Sequence, residues 1–277
     1  MKTRIITAVI CAAIFIPFLV FSDTVAFPII LAMASVLCVH EMLKCIGEKN
    51  PVIRLVAYVI AATLPICART YGNEQAFFNF THKIFVLFLF MLFAVAVFSK
   101  GKKDITNMAF VFVTVNFITN GYASIVLLRD YQYGEYIYML VFLCPWMTDI
   151  FAYFTGYFFG KHKLIPDVSP KKTIEGAVGG IVFSTLILVL YGYVMTRFVD
   201  GLKANYLAFV CVGIVLSIVS QCGDLIFSLI KRKYGVKDYG NLLPGHGGML
   251  DRCDSVIASA PIVLLMFDLS VFFRLFV

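Results

Sequence analysis

The sequence predicts an all-α polytopic integral membrane helical bundle, with about nine transmembrane helices and a cytoplasmic N-terminus. Composition, run length and charge distribution carry that prediction. Of the 277 residues 61% are hydrophobic and 14% charged, against about 45–50% and 25% in soluble domains, which argues against a soluble globular protein. Apolar runs of about 20 residues recur between charged stretches, the length that crosses a bilayer core as a helix. Lys and Arg sit in the gaps between those runs, so the net charge of +7 serves topology and lipid contact, and no nucleic-acid partner is expected.

In chain order the runs lie at about 5–22, 24–43, 52–68, 83–98, 107–128, 136–160, 174–196, 205–230 and 255–273. The first follows Lys2 and Arg4 as a signal peptide would. Phe18 to Phe27 offers no small-residue cleavage site, however, and a second run follows at once, so it counts as span one. Nine spans put the termini on opposite sides. Seventeen of the 23 Lys and Arg residues fall in the loops that share the side of the N-terminus, and the other six are Arg69, Lys83, Arg129, Arg197, Lys203 and Arg274. By the positive-inside rule the N-terminus and the loops near 161–173 and 231–252 face the cytoplasm, and the C-terminus faces out.

No soluble linker, low-complexity tract or repeat interrupts the chain, so residues 1–277 read as a single membrane domain with N-terminal helices over 1–135 and a catalytic half over 136–277. The eight cysteines are scattered without a CxxC pair and read as small apolar packers. His40 and Glu41, near Lys44, read as interfacial anchors at the end of span two. Intramembrane polar residues concentrate between about 145 and 255, which is where chemistry is expected.

The richest stretch runs from Ser220 to Ser255. Ser217, Gln221, Asp224, Ser228 and Lys231 recur at helical spacing and form one polar stripe on an apolar span, which must face the bundle interior or water. A carboxylate inside a span costs about 2.5–3.5 kcal/mol unless a cation or water offsets it, so Asp224 needs a partner. Asp251 and Asp254, spaced i, i+3, project from one face at the start of span nine. Three carboxylates without a Cys or His set favour a hard cation such as Mg²⁺ over Zn²⁺. The cations Lys231, Arg232, Lys233 and Lys237 beside them suit a polyanionic, phosphate-bearing substrate. Gly245, Gly247 and Gly248 would let backbone amides approach phosphate.

A second block holds Asp149 and then Ser169, Pro170, Lys171, Lys172 and Thr173, which open span seven as a candidate phosphate site. Ala152, Gly156 and Gly160, with Gly176 and Gly180 on the next span, read as a seam for close helix packing. GxxxxGK[ST], GxSxG and HExxH are absent, which argues against P-loop NTPase, serine-hydrolase and zincin chemistry.

The run from Ser228 to Asp254 resembles the signature of the phosphatidate cytidylyltransferase (CDP-diacylglycerol synthase) family. Ser228, Ile230, Lys231, Arg232, Lys237 and Asp238 carry the first part, and Pro244, His246, Gly247, Gly248, Met249, Asp251, Arg252 and Asp254 the second. Cys253 stands where the family usually has an aliphatic residue. The blocks from Ser220 to Asp224 and from Ser169 to Gly176 are also similar to the family, so motifs cover about residues 145–260.

The resemblance implies a multi-pass nucleotidyltransferase that takes CTP and phosphatidate and releases CDP-diacylglycerol and pyrophosphate, with Mg²⁺ as cofactor. On that basis Asp224, Asp251 and Asp254 are assigned to the metal, and Lys231, Arg232, Lys237, Asp238, His246 and Arg252 to catalysis. Ser169, Lys171, Lys172, Thr173, Gln221, Ser228, Gly247 and Gly248 are assigned to substrate binding. It further implies a homodimer, whereas the compact 277-residue chain without a soluble extension reads as bacterial and so as a protein of the cytoplasmic (inner) membrane, and the basic residues put the active site on the cytoplasmic face in contact with membrane lipid. Two rivals share some of these features: a CTP-dependent polyprenol or phytol kinase, and a transporter. The one-sided concentration of polar residues counts against the transporter.

Overall fold

The computed structural model describes residues 15–71, 74–99, 104–242, 247–269 and 274–276. Most of the expected first span, and His246, lie outside the described residues. Residues 15–20 are helical, and the helices that follow are α1 Ala26–Ile46, α2 Pro51–Tyr71, α3 Glu74–Phe98, α4 Ile105–Asp130, α5 Gly134–Ile137, α6 Leu140–Phe159, α7 Ile174–Phe198, α8 Tyr206–Lys233 and α9 Leu250–Leu269. Seven stretches among the described residues are long and apolar enough to cross a membrane: Ala26–Ile46, Pro51–Tyr71, Gln75–Phe98, Ile105–Asp130, Gly134–Phe159, Ile174–Phe198 and Tyr206–Lys233. The chain is therefore an all-α polytopic membrane protein. Helix α9 spans 20 residues but carries Asp251, Arg252, Asp254 and Asp268 among its apolar residues.

Three details depart from the sequence reading. Helix α3 starts at Glu74, so Lys83 lies within a helix and not in a loop. The segment Gln75 to His82, in which Gln75, Asn79, Thr81 and His82 alternate with Ala76 and three phenylalanines, continues the helix because a helix satisfies its own backbone groups at any depth. The stretch expected as one span over 136–160 is a single membrane-long stretch, Gly134–Phe159, but the helix is interrupted at Tyr138 and Met139, between α5 and α6. The Tyr191 hydroxyl donates to the Tyr136 carbonyl at 2.9 Å, meeting one acceptor beside the break. Between α6 and α7 the chain forms a small antiparallel hairpin, β1 Lys163–Ile165 with β2 Ser169–Thr173, pairing Lys163 with Thr173 and Ile165 with Ser169. The hairpin went unseen because two strands this short show no run of alternation.

The chain divides into two compact units, Met1–Leu127 with Tyr234–Cys253, and Leu128–Lys233 with Asp254–Val277. In the first, α1 packs on α2 and α2 on α3. Gly47, in the left-handed region at φ 78°, closes α1, and the Asn50 side chain accepts from Val52 N at 2.9 Å to cap α2.

In the second unit α6, α7 and α8 pack against one another. The expected glycine seam is present between α6 and α7. A Cβ added at Gly176 would lie 2.6 Å from the Ala152 carbonyl oxygen and 3.2 Å from the Gly156 Cα. Backbone therefore packs on backbone there, the geometry small residues give membrane helices. Helix α8 shows the expected two-sidedness. Ser217 and Gln221 are buried, while Ile218, Ile226 and Leu229 on other faces are exposed, as lipid-facing residues are.

The seam predicts that Gly176→Ala lowers stability by about 1–3 kcal/mol, because the new methyl meets backbone that cannot yield without moving a helix. Thermal unfolding of the purified protein in detergent, followed by circular dichroism, checks this. A midpoint equal to that of the native chain would contradict it.

Candidate active site

The polar stripe of α8 turns inward within the second unit and meets α6, α7 and the hairpin at successive turns. Thr148 on α6 donates its hydroxyl to Ser217 Oγ at 2.9 Å, both buried. Gln221 Nε2 donates to the Ala177 carbonyl at 3.2 Å. One turn further, Asp224 Oδ2 forms an ion pair with Lys172 Nζ from β2. The partner that Asp224 requires is thus the hairpin lysine, brought over α8 by the turn out of α6.

The hairpin is fixed at both ends. At its base the Glu175 carboxylate accepts from Lys161 N at 3.1 Å and from His162 N, and holds His162 Nδ1 at 2.6 Å. Thr173 is buried and caps α7, its hydroxyl accepting from Gly176 N at 3.1 Å. At the tip Arg232 Nε donates to the Val168 carbonyl at 3.4 Å. Arg232 and Thr173 therefore both position the hairpin. Ser169 is half-buried, whereas Lys171 is exposed.

Asp254, buried near the start of α9, belongs to this unit as well. The charged groups close enough to act on it are Asp224, Lys231 and Asp149. The unit therefore brings two carboxylates, Asp149 and Asp224, and Lys231 within electrostatic reach of the buried Asp254, with Lys172 paired to Asp224. Ser228 and Lys231 follow on the same α8 stripe, both half-buried.

The first unit holds the remaining residues of the expected site. Lys237 and Asp238 are exposed in the segment that follows α8. Asp251 is buried, and its Oδ2 accepts from Tyr239 N at 2.8 Å and Gly248 N at 3.0 Å. Gly247 has φ 88°, a conformation glycine adopts without a Cβ penalty. Arg252 is exposed on α9.

Glu41 is the residue that sequence reasoning missed. It is buried near the end of α1 and accepts from Met249 N at 3.0 Å through Oε1 and from Leu250 N at 2.8 Å through Oε2. One carboxylate thus takes amide hydrogens at the start of α9, where backbone donors lack helical partners and the helix dipole favours a negative charge. A Cβ at Gly248 would lie 2.5 Å from either Glu41 oxygen, so this approach requires glycine. Glu41 is no interfacial anchor. The signal that would have found it is the one applied to Asp224, a carboxylate within an apolar span.

Asp149, Asp224 and Asp254 carry only oxygen donors, the kind a hard cation takes, and the charges of Asp224 and Asp149 near the buried Asp254 would be relieved by a positive charge. Lys172 supplies one such charge at Asp224. Among the described residues no three His, Cys, Asp or Glu side chains are grouped to hold an ion.

The Glu41 contacts predict that Glu41→Ala costs about 1–3 kcal/mol by leaving buried amides without acceptors. Hydrogen exchange at Met249 and Leu250 reads this out directly and should accelerate, whereas Glu41→Gln, which keeps an acceptor oxygen, should fall between. Unchanged exchange in Glu41→Ala would contradict the role.

Comparison with known proteins places these residues in a family context. Residues 2–270 match the model described as the cytidylyltransferase family. A protein of Staphylococcus haemolyticus named phosphatidate cytidylyltransferase is 36% identical over 270 residues, covering 96% of this chain and 98% of its own length. Its namesake in Staphylococcus saprophyticus is 33% identical over 273 residues, with the same coverage. The namesake in Staphylococcus aureus is 34% identical over 270 residues, again covering 96% of this chain and 98% of its own length.

Proposed function

The chain belongs to the cytidylyltransferase family, and from that membership we propose that it transfers the cytidylyl group of CTP to phosphatidate, forming CDP-diacylglycerol and pyrophosphate. It is a CTP-using nucleotidyltransferase of phospholipid biosynthesis. The observation that carries the residue-level reading is the Lys172–Asp224 pair, which brings the hairpin cation and the intramembrane carboxylate to one point.

In the reaction a phosphate oxygen of phosphatidate attacks the α-phosphorus of CTP. A new P–O bond forms there, and the bond to the β-phosphate oxygen breaks as pyrophosphate departs. Little covalent work falls to the protein, so positioning and charge neutralisation dominate. Lys172 and Lys231 lie beside the carboxylates, and Arg232 and Lys171 frame the hairpin, so they are the groups that would bind phosphate oxygens. Arg232 already donates through Nε to the hairpin, which orients its guanidinium.

Asp224 and Asp254 would hold Mg²⁺, and a divalent ion bound there would neutralise phosphate charge. Asp251, grouped with them by the sequence, contributes by tying Tyr239 and Gly248 through its Oδ2. The face carrying this chemistry is cytoplasmic by the distribution of basic residues, and the membrane is the bacterial cell membrane. The homodimer belongs to this reading too.

The test uses the purified protein in mixed micelles with phosphatidate, Mg²⁺ and CTP labelled at the α-phosphate. Label should enter the lipid phase with one pyrophosphate per transfer and stop on chelation. Asp254→Asn should lower turnover by about 10²-fold. Label entering lipid only from the γ-position, with a polyprenol acceptor, would replace this reading with that of a lipid kinase.

A further inference from the structure

A second polar feature lies at the turn between α1 and α2, and none of its residues takes part in the site above. A cleft of about 370 Å³ is lined by His40, Lys44, Gly47, Glu48, Lys49 and Arg54. Three of these are permanent cations and one is a carboxylate. Glu48 is buried and its Oε1 accepts from Asn50 N at 2.6 Å, so that charge is engaged by the turn. Lys44 and Lys49 are exposed, and neither forms an ion pair among the described residues.

Arg54 is held in place before any ligand arrives. Its Nε and Nη2 donate to the Tyr58 hydroxyl at 3.1 and 3.0 Å, and Nη2 lies 3.4 Å from His40 Nδ1. His40 Nδ1 and the Tyr58 hydroxyl are 2.8 Å apart, closing the cluster. The fork is thus oriented at little further entropy cost, which suits bidentate recognition of a phosphate. The amides of Gly47, Glu48, Asn50 and Val52 in the turn are already engaged. Gly47 N donates to Lys44 O and Val52 N to Asn50 Oδ1, so recognition falls to the side chains.

Apolar surface continues from the cleft along the helices. Met33 and Leu37 precede His40 on one face of α1 and are 64% and 39% exposed, and Leu55 beside Arg54 is 64% exposed. A basic pocket above an apolar stripe matches a molecule with a phosphate head and hydrocarbon tails.

The geometry points to a phosphate-binding site at the α1–α2 turn, recognising a phosphate group through Lys44, Lys49 and Arg54. The group comes either from an anionic phospholipid or from a free phosphate. The site is independent of the cytidylyl-transfer reading.

The full-length protein tests it in phosphatidylcholine nanodiscs with and without 10 mol% phosphatidylglycerol, a ratio of about one lipid in ten chosen to favour specific retention. Native mass spectrometry counts retained phosphatidylglycerol. Phosphorus NMR of inorganic phosphate added to the phosphatidylcholine discs forms the second arm. The native chain should retain phosphatidylglycerol, with occupancy about tenfold lower in Lys44→Gln/Lys49→Gln and restored in Lys44→Arg/Lys49→Arg. Binding confined to the inorganic phosphate arm, and lost in the glutamine variant, would support the site with a soluble ligand. Equal binding by native chain and glutamine variant in both arms would overturn it. Both lysines are exposed, so the variant should fold, and its cytidylyl transfer in phosphatidylcholine micelles should equal the native rate.

Discussion

A carboxylate carried on an apolar helix must be met by a cation or by amide hydrogens, since the surroundings offer little water to solvate it. That constraint organises the polar architecture of this chain. Asp224 is met by Lys172. Glu41 is met by the amides that open α9, and Asp251 by Tyr239 N and Gly248 N. Glu175, at the first turn of α7, is met by the Lys161 and His162 amides and by the His162 ring. In each case the acid fixes a segment that is neither helix interior nor lipid-facing surface, and those segments hold the polar blocks that the sequence singles out.

The chain meets the requirement with opposite kinds of packing. Along the α6–α7 seam, glycine lets backbones touch, and Thr173 packs beside Gly156 and Gly160 while capping α7. This closeness leaves the hairpin little freedom at its base. Lys172 is therefore delivered to α8 from a rigid support, and rigid support is what charge-based catalysis requires of its cations. At the start of α9, by contrast, glycine makes room for a side chain, admitting the Glu41 carboxylate against Gly248.

Much of this was legible in the sequence. Helical spacing alone placed Ser217, Gln221 and Asp224 on one inward stripe, and the insertion cost of Asp224 required a partner. Spacing of glycines gave the α6–α7 seam. The identity of the partner was not legible, because it depends on a hairpin whose strands are too short to show a period. Glu41 was hidden for a different reason. Its hydrogen bonds reach 208 residues along the chain, and its place near the end of an apolar run makes it look like an ordinary interfacial acid. Thr173 at a helix start and Arg232 in a basic cluster were read as phosphate binders, whereas their hydrogen bonds with Gly176 and Val168 show that they also build the support.

The central claim is that Asp224 and Lys172 form one electrostatic unit, each needing the other. A double-mutant cycle measures that most directly, comparing the unfolding free energies in detergent of Asp224→Asn, Lys172→Met, their combination and the native chain. The account predicts a coupling of about 1–3 kcal/mol, with the combined variant more stable than the two single costs would add up to. Additive costs within about 0.3 kcal/mol would mean that the two residues do not depend on each other and would contradict it.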